Sequence, residues 1–71
     1  MTYSIIGQIS GAIGDQLIAE NYDQVQAKMW LALKRKDLMR LGFTVERIEN
    51  GISIVNPATG NAETYTMEED A

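Results

Sequence analysis

The chain has no cysteine, no histidine and a single proline. Without cysteine there is no disulfide, and without cysteine or histidine a zinc site lacks its usual sulfur and nitrogen ligands, which leaves only carboxylate-rich metal sites of the calcium or magnesium type. The same two absences remove the imidazole base and the thiolate nucleophile from the catalytic inventory. What remains is serine, tyrosine, lysine and carboxylates, and Glu46, Glu49, Glu63 and the terminal acids fall on expected strands or chain ends, where solvation is their ordinary duty. No catalytic residue, cofactor or metal is assigned. Long hydrophobic runs are also missing: Met29 to Leu33 is the longest clearly apolar stretch, far below the ~20 residues of a membrane span. Met1-Thr2-Tyr3-Ser4 carries no basic segment ahead of Ile5-Ile6, so a cytoplasmic protein is expected.

With 71 residues there is room for one domain and one core. A domain of this size buries only about 60% of the surface of its unfolded chain, so stability often comes from elsewhere, and with disulfides and zinc excluded a homodimer is the expected staple. The net charge of −4 is unevenly spread. Residues 1–42 carry Lys28, Lys34, Arg35, Lys36 and Arg40 against Asp15, Glu20, Asp23 and Asp37, whereas residues 43–71 set Arg47 alone against six carboxylates. A uniformly basic nucleic-acid binder does not look like this, although one basic helix face can still serve.

The alternation of Tyr3, Ile5, Gly7 and Ile9 with Thr2, Ser4, Ile6 and Gln8 predicts a first strand. After the glycines of residues 11–14, Gln16 to Glu20 reads as a second strand closing a hairpin, with a helix starting near Asp15 as the competing reading. Asn21 with Gln24 forms a capping-box pattern, and Tyr22 to Leu41 is free of glycine and proline up to Gly42, a natural residue just past a helix end. This predicts one long helix. Phe43 to Glu49 and Ile52 to Asn56 are β-type runs around Asn50-Gly51, which predicts a type I′ hairpin pairing Glu49 with Ile52. That pairing places Phe43, Val45, Arg47, Ile52 and Ile54 on the side toward the helix. A turn over residues 56–61 leads to a last strand from Ala62 to Met67, and residues 68–71 are expected to be a frayed acidic tail. The expected fold is α+β, one long helix packed on a small antiparallel β-sheet, in the order ββαβββ or βαβββ.

Three features bear on binding. Gly11-Ala12-Ile13-Gly14 has the spacing of the backbone-clamping loop that KH domains use on single-stranded nucleic acid. Ser10 departs from that pattern, no basic residue lies in the loop, and Asp15 follows it, so a plain hairpin turn is the favoured reading. Lys28, Lys34, Arg35, Lys36 and Arg40 are candidates for a phosphate-binding helix face, set against the ordinary role of cations near a helix C-terminus. Finally, the helix is apolar on more than one side: Tyr22, Val25, Met29, Ala32 and Leu33 form one stripe, and Ala27, Leu31 and Leu38 form another, with Trp30 at its edge. The first is expected to meet the sheet. The second, Ala27, Trp30, Leu31 and Leu38, is then the expected partner-binding surface, in a homodimer or against another protein.

The plan of a lead hairpin, a long helix and a terminal meander, with Ile18-Ala19-Glu20 through Ala27 at the helix entry and Thr44 through Gly51 in the hairpin, resembles small phage-encoded inhibitors of bacterial defence, including some type I-F anti-CRISPR proteins. The resemblance implies a noncatalytic protein-binding module that blocks a surface of a host complex without a cofactor. It carries over no binding residues, since this chain is acidic and lacks basic residues on its last strands. A small nucleic-acid-binding regulator using the basic end of the helix is the alternative.

Overall fold

The computed structural model describes residues 1–9, 14–55 and 60–70. It contains β1 (Tyr3–Gln8), β2 (Gln16–Tyr22), α1 (Gln24–Arg40), β3 (Thr44–Ile48), β4 (Gly51–Val55) and β5 (Ala62–Glu69). The strands form one sheet in the order β2-β1-β5-β4-β3, antiparallel at every pairing. This is the expected α+β fold in its ββαβββ form. The last strand in sequence lies in the middle, with β1 on one side and β4 on the other, and α1 runs over one face from the β2 edge to the β3 edge, touching all five strands.

Helix α1 starts later than the capping pattern at Asn21 predicts. Tyr22 is still paired with Tyr3 in the sheet, and Asn21 sits at φ 62°, a left-handed conformation that asparagine tolerates better than most residues. It lies where the β1–β2 register shifts, in a strand with two such irregularities. The cap is Asp23: its carboxylate accepts from the Gln26 N–H at 2.8 Å, and the Gln26 side chain accepts from the Asp23 N–H at 2.9 Å. The helix ends as expected. Gly42, at φ 93°, donates its N–H to the Met39 carbonyl, and the Phe43 N–H reaches back to the Leu38 carbonyl, satisfying two end carbonyls in a Schellman arrangement.

The β3–β4 hairpin departs from the expected register. Ile48, not Glu49, closes the turn, opposite Gly51, so Glu49 and Asn50 are the loop residues. Only Asn50, at φ 61°, is left-handed, whereas a type I′ turn needs both loop residues there. Gly51 has another duty. A Cβ on it would collide with the Tyr65 carbonyl oxygen and lie 2.8 Å from the Thr66 Cα, so its missing side chain lets β4 approach β5. The shift moves the pairing by two residues, which preserves the faces: Val45 opposes Ile54, Arg47 opposes Ile52, and Ile52 and Ile54 are buried beneath the helix as expected.

Residues 68–70 are not frayed. Glu68 and Glu69 pair with Ser4 and Tyr3, and the Asp70 carboxylate accepts from the hydroxyls of Ser4 and Thr2, each at 2.8 Å, while its N–H bonds the Thr2 carbonyl. Hydroxyl donors on Thr2 and Ser4 hold the carboxylate of Asp70, against the acidity that suggests a loose tail. The glycine loop and the turn after Val55 fall, apart from Gly14, Gly60 and Asn61, outside the described residues.

The core is small. Ile5, Ala27, Leu31, Ile52, Ile54 and Tyr65 are buried, with Tyr3, Ala19, Tyr22, Trp30, Leu38, Phe43, Val45 and Met67 packed around them. The helix therefore turns the side opposite to the expected one toward the sheet. Ala27 is 0% and Leu31 8% exposed, whereas Val25, Met29 and Leu33 are 66%, 58% and 60% exposed. Ala27 is fully buried in one cluster with Tyr65 and three isoleucines of the sheet, and its small side chain lets the helix lie close on them there.

Candidate functional site

The residues expected to meet a partner are turned toward the sheet, two of them buried and two partly buried. Ala27 and Leu31 are buried, Leu38 packs against the core, and the Trp30 ring lies against Tyr65 with centroids 5.6 Å apart and a tilt of 54°. None of the four forms the outward surface the sequence suggested. That surface belongs to Val25, Met29 and Leu33, spaced four residues apart so that they follow one another along the outer side of α1.

The basic residues do not form one face either. Lys34 turns inward and holds its ammonium 5.5 Å from the centre of the Tyr65 ring, a cation–π contact. Burial pushes the Tyr65 phenol above its ordinary value of 10.0, and the nearby Glu63 charge adds to the shift, so the hydroxyl remains protonated at neutral pH. Lys36 and Arg40 are exposed. Lys28 and Arg35 point to another place: together with Arg47 they line a cleft of about 480 Å³ between α1 and the β3–β4 hairpin, with Leu31, Ile52 and Met67 contributing apolar surface.

No family model, curated protein or solved structure matches the chain. Its surfaces are therefore read from their own chemistry. Among the described residues no group of acidic side chains is placed to hold a metal ion, and no helix is long and apolar enough to cross a membrane.

The uncovered face of the sheet is of a different kind. Ser4, Ser53, Thr64 and Thr66 lie along its centre, with Ile6 among them, and Leu17, Ile48 and Val55 lie toward its margins. The Thr64 hydroxyl donates to Gln8, whose amide donates to Asp15 at 3.0 Å, tying the sheet to the start of β2. Both edges are unsuited to adding a strand: β2 is irregular in register, and β3 carries Glu46 and Arg47. Arg47 lies outside the basic helix residues that the sequence marks as candidates for binding. Its signal was present nonetheless, as the one charge in an otherwise apolar set expected to face the helix.

Proposed function

We propose that this chain is a noncatalytic protein-binding module whose contact surface is the outer stripe of α1. The observation that carries this reading is that Val25, Met29 and Leu33 are all more than half exposed on one side of a capped helix. Large apolar side chains in a row, flanked by the polar residues of the same helix, present the pattern a helix uses to enter an apolar groove. The irregular and charged sheet edges argue against recognition by strand addition, which leaves the helix as the better candidate.

In its specific form, the proposal is an inhibitor from a phage or mobile element that blocks a surface of a host defence complex. The homodimer proposal moves to the same stripe, since a two-fold antiparallel pairing of helices there brings the acidic entrance at Asp23 toward the basic exit at Lys36 and Arg40.

A plaquing assay tests the inhibitor. Expression of the chain in a host with active type I-F interference is expected to restore plaquing of a targeted phage, and a Met29→Glu/Leu33→Glu variant is expected to lose that effect while remaining folded by circular dichroism. No restoration by the wild type removes the inhibitor reading, and restoration by the double variant removes the stripe from it. Light scattering after size exclusion at about 100 µM addresses self-association, where a monomeric wild type excludes the dimer.

A further inference from the structure

We infer that the cleft between α1 and the β3–β4 hairpin is a binding site for a small organic phosphate: a dianionic head held by Arg35, Arg47 and Lys28, and an apolar body resting on Leu31, Ile52 and Met67. The inference concerns a different surface from the outer helix stripe and does not depend on it.

Charge distribution is the first argument. The chain has six lysines and arginines against ten carboxylates, yet three of the six line this one cleft and no carboxylate does. Among the described residues none of the three is joined to a carboxylate in an ion pair. The three cations thus share one cleft with no carboxylate in its lining, a local excess of positive charge that an entering anion would offset.

The second argument is an unsatisfied donor. The Nε of Arg35 is buried and has no hydrogen-bond partner, and a buried N–H left unpaired is costly. An acceptor oxygen in the cleft would relieve it. Two guanidinium groups, each a planar fork of donors, suit the oxygens of a tetrahedral phosphate better than they suit a point anion such as chloride.

The third argument is the apolar surface beside the charges. Leu31 and Ile52 belong to the core cluster, and Met67 packs on it, so the cleft reaches down to the hydrophobic interior. Inorganic phosphate would use only the cations, whereas an aryl or alkyl phosphate uses both, and a volume of about 480 Å³ lies within the usual range of small-molecule sites.

The test is a titration of the intact chain followed by amide chemical shifts, with 1-naphthyl phosphate, inorganic phosphate and 1-naphthol as probes. Naphthyl phosphate is expected to give saturable shifts centred on Leu31, Ile48 and Gly51, and to bind about tenfold more tightly than either other probe. Arg47→Gln, at an exposed position, and Arg35→Gln are each expected to weaken it about tenfold, the cost of one charge-assisted contact. Lys36→Gln, outside the cleft, should leave affinity unchanged. Circular dichroism confirms that each variant is folded, and Arg47→Gln carries the decision if Arg35→Gln is not. The inference is overturned by any of three results: no saturation up to about 10 mM, a millimolar-or-weaker limit for a small ligand; undiminished binding by folded Arg47→Gln; or equal binding of naphthol and its phosphate.

Discussion

Both sides of α1 carry large apolar side chains, and they have opposite fates. The inner side sets Ala27, Leu31 and Leu38 with Trp30 and Lys34 against the sheet, and the outer side leaves Val25, Met29 and Leu33 in water. Hydrophobicity alone does not choose between them. Packing contributes: the fully buried Ala27 lets the helix lie close on the large side chains of the core, with Leu31 buried and Trp30 and Leu38 partly buried along the same side.

The largest effect that separates the two sides is expected from a buried charge. Leu31→Glu places an unpaired carboxylate in the core at a cost above about 4 kcal/mol, and the chain should be unfolded at 25 °C by circular dichroism. Leu33→Glu, two residues on, should shift the urea midpoint by no more than about 0.5 kcal/mol of stability. A folded Leu31→Glu beside an unfolded Leu33→Glu would reverse the assignment of sides. Added volume comes next. Ala27→Leu is expected to cost about 1–3 kcal/mol by overpacking, whereas Val25→Leu should be nearly silent in the same urea titration.

A smaller effect comes from Lys34, whose cation–π contact with Tyr65 is worth about 0.5–1 kcal/mol and should be lost in Lys34→Met. Alkaline pH reaches the same ring. Because the folded Tyr65 holds its proton more tightly than the unfolded residue, its contribution is whole below pH 10.0 and declines as pH rises past that value, where the unfolded chain sheds the proton first. Melting temperatures between pH 9 and 11, compared with those of Tyr65→Phe, should show the added slope in the wild type only.

Much of the fold was legible because it rests on local signals. The alternation in Tyr3–Gln8, the uninterrupted helix and Gly42 at its end each point to one structure, and the structure agrees. The capping pattern at Asn21 with Gln24 gives way to a cap at Asp23 with Gln26, because Tyr22 is held in the sheet opposite Tyr3. The hairpin departs from its local signal in a similar way. Asn50-Gly51 matches a turn, but Gly51 is needed where β4 passes β5, a constraint set by a strand more than ten residues away. The site was hardest to see. Its cations come from α1 and β3, and only the crossing of the helix over the hairpin brings Lys28, Arg35 and Arg47 together.

The position of β5 has a consequence for how the molecule is made. It pairs with both β1 and β4, and it follows the other strands in sequence. A nascent chain that has emerged only as far as Val55 holds two separate hairpins and a helix with no strand to join them, and isolated hairpins are marginal in water. Closure of the sheet must wait for residues 62–69, pairing Tyr3 with Glu69 across nearly the whole length of the chain. Contacts so distant in sequence slow folding, because a large loop must be closed before they repay its entropy. Until then the residues destined for the core are open to chaperones and proteases, and a ribosome stalled before Ala62 would carry a chain that has not yet acquired its tertiary structure.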